Sequence, residues 1–143
     1  MSSRYLVPLW MLLALLAGCG RSDPLTALEA AVQQLQSTIE DKDNGAVLDQ
    51  LHPQFAAQQQ TLDRDWARRS MALLFLRHKN IQVIALSHSS RLDAISPEKG
   101  YTQAQLALTG AEALIPDSAR HYSVTLEWWL DEGQWKLARL DWE

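Results

Sequence analysis

Arg139 and Asp141 are a charged pair in this 143-residue sequence that could orient a small ligand. They lie two residues apart in the segment 135–142, whose alternating side chains predict a β-strand. A two-residue turn at Glu132-Gly133 would pair this strand with the segment 120–130 and place both charges on the concave, helix-facing side of the sheet. There they could form the polar floor of a pocket. The alternatives are an ion pair that closes the core, or a register shifted by one residue that turns both side chains to solvent.

Acid–base catalysis finds less support. Isomerisation of the ketosteroid type needs a carboxylate base in an apolar pocket, opposite donors such as a Tyr and a protonated Asp. Tyr101 and Tyr122 are available donors, but no second acid can be assembled near Asp141. The serines beside His88 lack the nucleophile-elbow motif of serine hydrolases. We therefore predict that the protein is not an enzyme.

The sequence predicts no metal ion, cofactor or nucleic-acid partner. Its four histidines, at positions 52, 78, 88 and 121, are scattered and form no HExxH motif. The single cysteine excludes an intrachain disulfide framework. With 13 Lys and Arg against 17 Asp and Glu, the net charge is −4, which is unsuited to neutralising phosphates.

A basic cluster in the middle of the chain has a structural interpretation. Arg64 and Arg68 share a helix face, whereas Arg69 points away from them. Because Asp63 and Asp65 are interleaved with these arginines, a solvated and ion-paired face is favoured over a site for anionic lipid or phosphate.

Tryptophan is concentrated at the C-terminal end, where four of the six residues lie between positions 128 and 142. Trp129 is predicted on the outer face of the sheet, opposite the core-facing Trp128. In the register set by the Glu132-Gly133 turn, Trp142 shares that outer face. Tryptophan is enriched in interface hot spots. Trp129 and Trp142 are therefore a candidate interface, for a homodimer or for an envelope protein.

Two helices are predicted before the middle of the chain. Asp23-Pro24 is a helix start, because Asp caps the end and Pro lacks only a donor that is unpaired there. Apolar residues at spacings of three and four continue this helix to about Asp41. A second helix follows the turn at Asp43, carries Leu51 on its apolar side, and ends before Pro53.

A third helix is predicted over about 62–78. Acidic residues lie in its first turn and basic residues in its last, as the helix dipole favours. Its C-terminal half, 71–76, is apolar all round, so we expect other elements to enclose that half.

From Asn80 onward the apolar period changes to two, which is typical of strands. Helices followed by strands predict an α+β fold, with the helices on one face of an antiparallel sheet. The predicted strands are 81–88, 91–95, 101–109, 120–130 and 135–142.

The N-terminal segment has the features of a targeting signal. Residues 6–17 form an apolar run of twelve residues after a start that contains Arg4. As a helix this run would rise about 18 Å, short of the roughly 30 Å bilayer core, and it is typical of a secretory signal. Leu16-Ala17-Gly18-Cys19 resembles the bacterial lipobox, in which the cysteine receives a diacylglyceryl group. An ordinary signal peptide with a chance cysteine is the alternative.

The lipobox resemblance implies a division of the chain. Residues 1–18 would be the signal peptide, 19–23 the lipid anchor and tether, and 24–143 the folded domain. Several acyl chains on Cys19 would anchor the protein to a membrane stably, at about 0.8 kcal/mol per buried CH₂. Gly20, in place of Asp, implies the outer membrane with the domain facing the periplasm.

The C-terminal hairpin resembles the last hairpin of the nuclear transport factor 2-like, or cystatin-like, superfamily. The matching residues are Tyr122-Ser-Val-Thr-Leu-Glu-Trp128, an acidic-Gly turn, and Gln134-Trp135-Lys-Leu137 with Leu140-Asp141-Trp142. More narrowly, uncharacterised proteobacterial proteins of this fold are similar at Leu76-Arg-His-Lys-Asn-Ile81, Leu108-Thr-Gly110 and Leu114-Ile-Pro116. The resemblance covers residues 24–143 and implies N-terminal helices on the concave face of a strongly bent antiparallel sheet, together forming a cone.

This superfamily includes isomerases, dehydratases and binding modules, and its members often dimerise through the outer sheet face. We therefore expect a membrane-anchored periplasmic lipoprotein that acts as a non-enzymatic binding or assembly module of the cell envelope. The alternative is a periplasmic small-ligand carrier, or an isomerase- or dehydratase-like enzyme, that uses the cone pocket. A cavity of roughly a few hundred Å³ with convergent polar groups would favour the alternative, whereas a cone filled by Trp and Leu would weaken it.

Overall fold

The structure is a computed structural model that describes residues 23–110 and 120–143. It contains three helices and a six-stranded sheet, with the helices packed on one face of the sheet. The predicted signal peptide, 1–18, and the predicted lipidation site, Cys19, lie outside the described residues. The elements are α1 (Pro24–Glu40), α2 (Asn44–Asp49), β1 (Leu51–Ala57), β2 (Leu62–Asp63), α3 (Arg64–Arg77), β3 (Ile81–Leu92), β4 (Lys99–Gly110), β5 (Arg120–Asp131) and β6 (Gln134–Trp142).

Helix α1 forms as its sequence predicts. The Asp23 side chain caps it by accepting a hydrogen bond from the Thr26 backbone N–H at 3.4 Å, and Pro24 takes the first helical position. Leu28 and Leu35 from its apolar stripe are buried in the core. The helix ends at Glu40, one residue before the predicted end.

The prediction for the second helix was wrong at its C-terminal end. Helix α2 stops at Asp49, and Leu51 begins strand β1, which pairs in parallel with β6. The β1–β6 register shifts between Leu51 and Ala56, so Pro53 lies where the ladder is irregular. A proline lacks the N–H that a regular ladder needs, and it is tolerated at such an irregularity.

Helix α3 is capped by Asp63, whose side chain accepts from the Trp66 N–H at 2.8 Å. The prediction that other elements enclose its apolar half was wrong, because Leu73 and Leu76 are 53% and 83% exposed. Only one side of α3 packs toward the sheet, and the leucines on its other side face solvent. Within the described part of the chain, no helix is long and apolar enough to cross a membrane.

The strands form one sheet in the order β2-β1-β6-β5-β4-β3. All neighbouring pairs are antiparallel except β1 and β6. The two strands predicted at 81–88 and 91–95 are a single strand, β3, which pairs with β4 along its whole length. An irregularity between Ala85 and Ser87 bends this strand without ending it.

The β5–β6 hairpin has the predicted turn, with Glu132 and Gly133 at φ values of 50° and 79°. Two positive φ values in a two-residue loop match the twist of the flanking strands. Pairing follows the predicted register as far as Trp128 opposite Leu137. Beyond that pair, Ala138 is an extra residue in β6, and the register shifts by one.

Large side chains are fully buried where α1 meets β4 and β5. Trp128 is fully buried, and its indole N–H donates to the Thr102 hydroxyl at 3.1 Å, which lies 2.8 Å from the Ser90 hydroxyl. A Cβ added at Gly100 would lie 2.6 Å from Leu28 Cδ2, so any larger residue at this position would force the Leu28 side chain to move. The cavity described below is lined by other residues, so this part of the core is solidly packed.

Candidate functional site

A cavity of about 370 Å³ lies between the concave face of the sheet and helices α1 and α3. The sheet contributes Val124 and Leu126, and the helices contribute Leu35, Met71 and Leu74. None of its described lining residues is an Asp, Glu, His, Lys, Arg or Cys. The site therefore has room for a small ligand and offers it an apolar wall.

Three lining residues carry a polar group on an aromatic side chain. Tyr122 supplies a hydroxyl, and Trp66 and Trp142 supply indole N–H groups. The two indoles stack with ring centroids 5.7 Å apart and planes inclined by 16°. They form an aromatic wall where the N-terminal part of α3 meets the end of β6.

The predicted position of Trp142 on the outer face was wrong. After the Ala138 bulge, Trp142 lies opposite Val124 and faces the cavity. The bulge reverses the facing of every residue that follows it in β6. Trp142 therefore lines the cavity and not the outer face on which it was predicted.

The same shift corrects the predicted placement of Arg139 and Asp141. Neither residue lines the cavity, because they lie opposite Glu127 and Thr125 on the convex face. Of the alternatives that the sequence left open, the structure has the shifted register.

Both side chains have structural partners on the convex side. The Arg139 guanidinium donates to the carbonyls of Gln54 at 2.8 Å and Ala138 at 2.7 Å. The Asp141 carboxylate accepts from the Gln59 N–H at 2.8 Å. Gln59 is the middle of three consecutive glutamines with positive φ, so Asp141 holds a strained turn against the end of β6.

The two tyrosines considered as donors lie on opposite sides of the sheet. Tyr122 lines the cavity, whereas Tyr101 lies opposite Glu127 on the convex side and donates from its hydroxyl to Asp93 at 3.1 Å. Burial, followed by this hydrogen bond, raises the pKa of Tyr101. The described residues therefore do not bring two donors and a carboxylate base together.

Asp93 organises the loop between β3 and β4. Its carboxylate accepts hydrogen bonds from the backbone N–H groups of Ser96 and Ile95, each at 2.8 Å. These two bonds, in that order, and then the Tyr101 hydroxyl lower the pKa of Asp93. This carboxylate has a structural role at the edge of the sheet.

Trp129 lies on the convex face, as predicted, but neighbouring side chains partly cover it. Its ring meets the His52 ring edge-on at 4.9 Å, and the Arg139 guanidinium lies 4.8 Å from its centroid. The Lys99 ammonium lies 5.8 Å away, and the indole N–H donates to Glu127 at 2.9 Å. Cations over an indole face stabilise it in place. Trp129 is therefore a half-buried centre of a polar cluster.

Two arginines of α3, Arg68 and Arg69, have the ion-paired environment that the sequence favoured. Asp65 pairs with Arg68 at 2.6 Å and with Arg69 at 3.5 Å, all at the surface. Arg64 instead donates to the Leu48 carbonyl at 2.9 Å. In the part of the chain that the structure describes, no three His, Cys, Asp or Glu side chains come together as metal ligands.

A second, polar hollow lies beside the β5–β6 turn and is lined by Arg64, Lys136 and Asp131 among others. Its two cations already bind the C-terminal carbonyls of α2, since Arg64 donates to Leu48 and Lys136 to Asp49. Cations at the end of a helix complement its dipole. These contacts give the hollow a structural explanation.

The sequence prediction missed most of the cavity wall. Ala67, Met71 and Leu74 recur at helical spacing on one side of α3, and this period was a usable signal. Leu51 and Phe55 of β1 also line the cavity. They were missed because Leu51 was assigned to the second helix and Phe55 to no element.

No protein-family model matches the sequence, and no curated protein matches it significantly. Solved structures do resemble it. A protein of unknown function from Pseudomonas putida, described as nuclear transport factor 2-like, superposes with a TM-score of 0.70 at 8% identity, over 83% of this chain and 84% of its own. A proposed dehydratase of the same family from Streptomyces avermitilis gives 0.69 at 12% identity, over 83% and 94%. The chain has the nuclear transport factor 2-like fold.

Bd1075 of Bdellovibrio bacteriovorus also superposes, with a TM-score of 0.70 at 11% identity over 82% of this chain. The chain spans 40% of the length of that protein. The predicted fold class is confirmed. At identities this low the likeness establishes the fold alone, and a fold of this kind supports both enzymes and binding proteins.

Proposed function

We propose that this protein is a non-enzymatic carrier of an apolar small molecule, such as an acyl chain, which it binds in the concave cavity. The observation that carries the proposal is a space of about 370 Å³ whose described wall has no titratable side chain other than the phenol of Tyr122. Ligand pockets of this size are mostly apolar, with a few polar groups that fix orientation. General acid–base catalysis would require a positioned group of suitable pKa in contact with the ligand.

The proposal places the carrier on a membrane. The lipobox resemblance at Cys19 supports a lipid anchor, and Gly20 supports the outer membrane with the domain facing the periplasm. Such a carrier would be a binding module of the cell envelope. The tether from Cys19 to Pro24 is five residues, so the domain would stay within about 18 Å of its anchor.

The binding claim is tested with a fluorescent fatty acid and the purified full-length protein. Val83→Trp places an indole into the cavity from β3, and we expect it to weaken binding at least about tenfold. Ile84→Trp is the matched control, because Ile84 is the next residue of the same strand, is 44% exposed, and does not line the cavity. Equal affinities for the two variants, or no binding by the unmodified protein, would refute the proposal.

The anchoring claim has its own test. Cys19→Ser removes the thiol that would carry the lipid, and we expect the variant to lose both incorporated acyl label and retention in the membrane fraction. A Cys19→Ser protein that remains in the membrane fraction would contradict the lipoprotein assignment.

A second candidate function is a protein interface on the convex face, centred on Trp129. The half-buried indole with His52, Arg139 and Glu127 around it supports this candidate. A second copy of the chain or an envelope protein would be the partner. For a homodimer, Trp129→Ala should lower the oligomer mass in light scattering. For an envelope partner, a crosslinker placed at position 129 in intact cells should capture that partner.

A further inference from the structure

Helix α3 is apolar on two opposite sides over its C-terminal half. Met71 and Leu74 line the cavity. Leu73 and Leu76 lie on the far side of the helix and are 53% and 83% exposed. At 100° per residue, Arg69 shares that outer side with the two leucines. Leu73 and Leu76 therefore form an exposed apolar surface that takes no part in the core.

This outer side is also basic in an acidic protein. Residues 65–79 hold four of the 13 basic residues and one of the 17 acidic ones. Asp65 serves both Arg68 and Arg69, whose side chains remain 57% and 67% exposed. Arg77 and Lys79 follow the leucines and are exposed. Among the described residues this stretch has more cations than carboxylates, so a patch of leucines flanked by basic side chains stands out against a chain of net charge −4.

We infer that the outer side of α3, formed by Leu73 and Leu76 with Arg69 and Arg77, docks on an anionic lipid surface, assisted by Lys79 just beyond the end of the helix. Leucines that enter the headgroup boundary and cations that meet lipid phosphates are the two components of interfacial helix binding. An acidic protein could pair with the cations. A bilayer also offers a source of apolar ligand for the cavity on the inner side of the same helix. Leu73 on the outer side and Leu74 on the cavity side are adjacent in sequence.

This inference rests on the proposed carrier function, because it assigns α3 as the place where an apolar ligand passes between bilayer and cavity. A helix is only about 10–12 Å across with its side chains. A ligand that leaves the bilayer beside α3 would therefore reach the cavity over a short distance.

The test separates docking from the lipid anchor. The full-length protein is reconstituted from detergent into phosphatidylcholine vesicles, and its bridging to a second population of phosphatidylglycerol-rich vesicles is measured by energy transfer between vesicle dyes. We expect bridging that weakens as salt rises and that is absent with phosphatidylcholine acceptors. Leu73→Gln/Leu76→Gln should weaken bridging by about tenfold or more.

The matched control is Ile84→Gln/Leu86→Gln, which removes two apolar residues of comparable exposure, 44% and 58%, from β3. It should bridge like the unmodified protein. The inference is overturned if the unmodified protein does not bridge anionic vesicles, if the α3 variant bridges equally well, or if both variants lose bridging equally. Fatty-acid binding is measured on the same samples. Vesicle bridging without ligand binding would refute the carrier function and leave the docking surface standing.

Discussion

The two faces of the sheet differ in chemistry although the same strands build both. On the concave side, Val124 and Leu126 of β5 border a cavity with an apolar wall. On the convex side of the same strand, Glu127 and Trp129 contact cations from neighbouring strands. The concave face has room without charge, whereas the charges described on the convex face already contact neighbouring side chains and backbone groups. A bound ligand needs room, so the proposed ligand site is on the concave face.

The sharpest test compares Trp128 with Trp129, which are adjacent in sequence and on opposite faces. Trp128→Ala should lower the free energy of unfolding by about 3–5 kcal/mol, because a fully buried indole is lost and a cavity is left. Trp129→Ala should cost about 1 kcal/mol, mainly the contacts with cations. Urea unfolding measures both. Equal losses would remove the energetic difference between the faces.

Substitution of Gly100 tests how tightly Leu28 of α1 packs against β4 on the concave side. Gly100→Ala should cost about 1–3 kcal/mol, because its Cβ would overlap the fully buried Leu28. Leu28→Ala opens the same space, so the double variant should be more stable than the sum of the two single effects predicts. Strict additivity in thermal unfolding would show that the two residues do not compete for one space.

Leu140 and Asp141 are adjacent in β6 and lie on opposite faces, so their variants compare how much each face contributes to ligand affinity. Leu140→Ala removes part of the cavity wall and should weaken fatty-acid binding about fivefold. Asp141→Ala removes the bond to Gln59, should cost about 1 kcal/mol of stability, and should leave the affinity unchanged. A fluorescence titration of both variants is sufficient. If Asp141→Ala weakened binding more than Leu140→Ala, the assigned facing of β6 would be wrong.

The smallest effect is expected at Asp93, beside the convex face. Its folded-state pKa is lowered, so its hydrogen bonds stabilise the loop above the ordinary value of 3.8 and are lost as pH falls through the folded-state pKa. The Ile95 and Ser96 amide signals in NMR should shift over that acidic range and not between pH 5 and 8. In Asp93→Asn these signals should no longer titrate. A persistent titration would assign the effect to another group.

Local signals predicted the elements whose ends and faces are fixed by nearby residues. Asp23-Pro24 set the start of α1, and the alternation in β5 with the Glu132-Gly133 turn set the hairpin. Strand β1 was not predictable in this way. Its residues form a strand because β6 lies beside them, and that neighbour is more than 80 residues away in the chain.

The sequence by itself determined the fold class and the core-facing side of β5. Periodicity, caps and turns are local properties, and they suffice for those conclusions. Only the tertiary structure decided which face Arg139, Asp141 and Trp142 occupy, because one extra residue, Ala138, reverses the end of β6. The cavity between α3 and the sheet was also visible only in the tertiary structure, because its volume depends on the distance between packed elements.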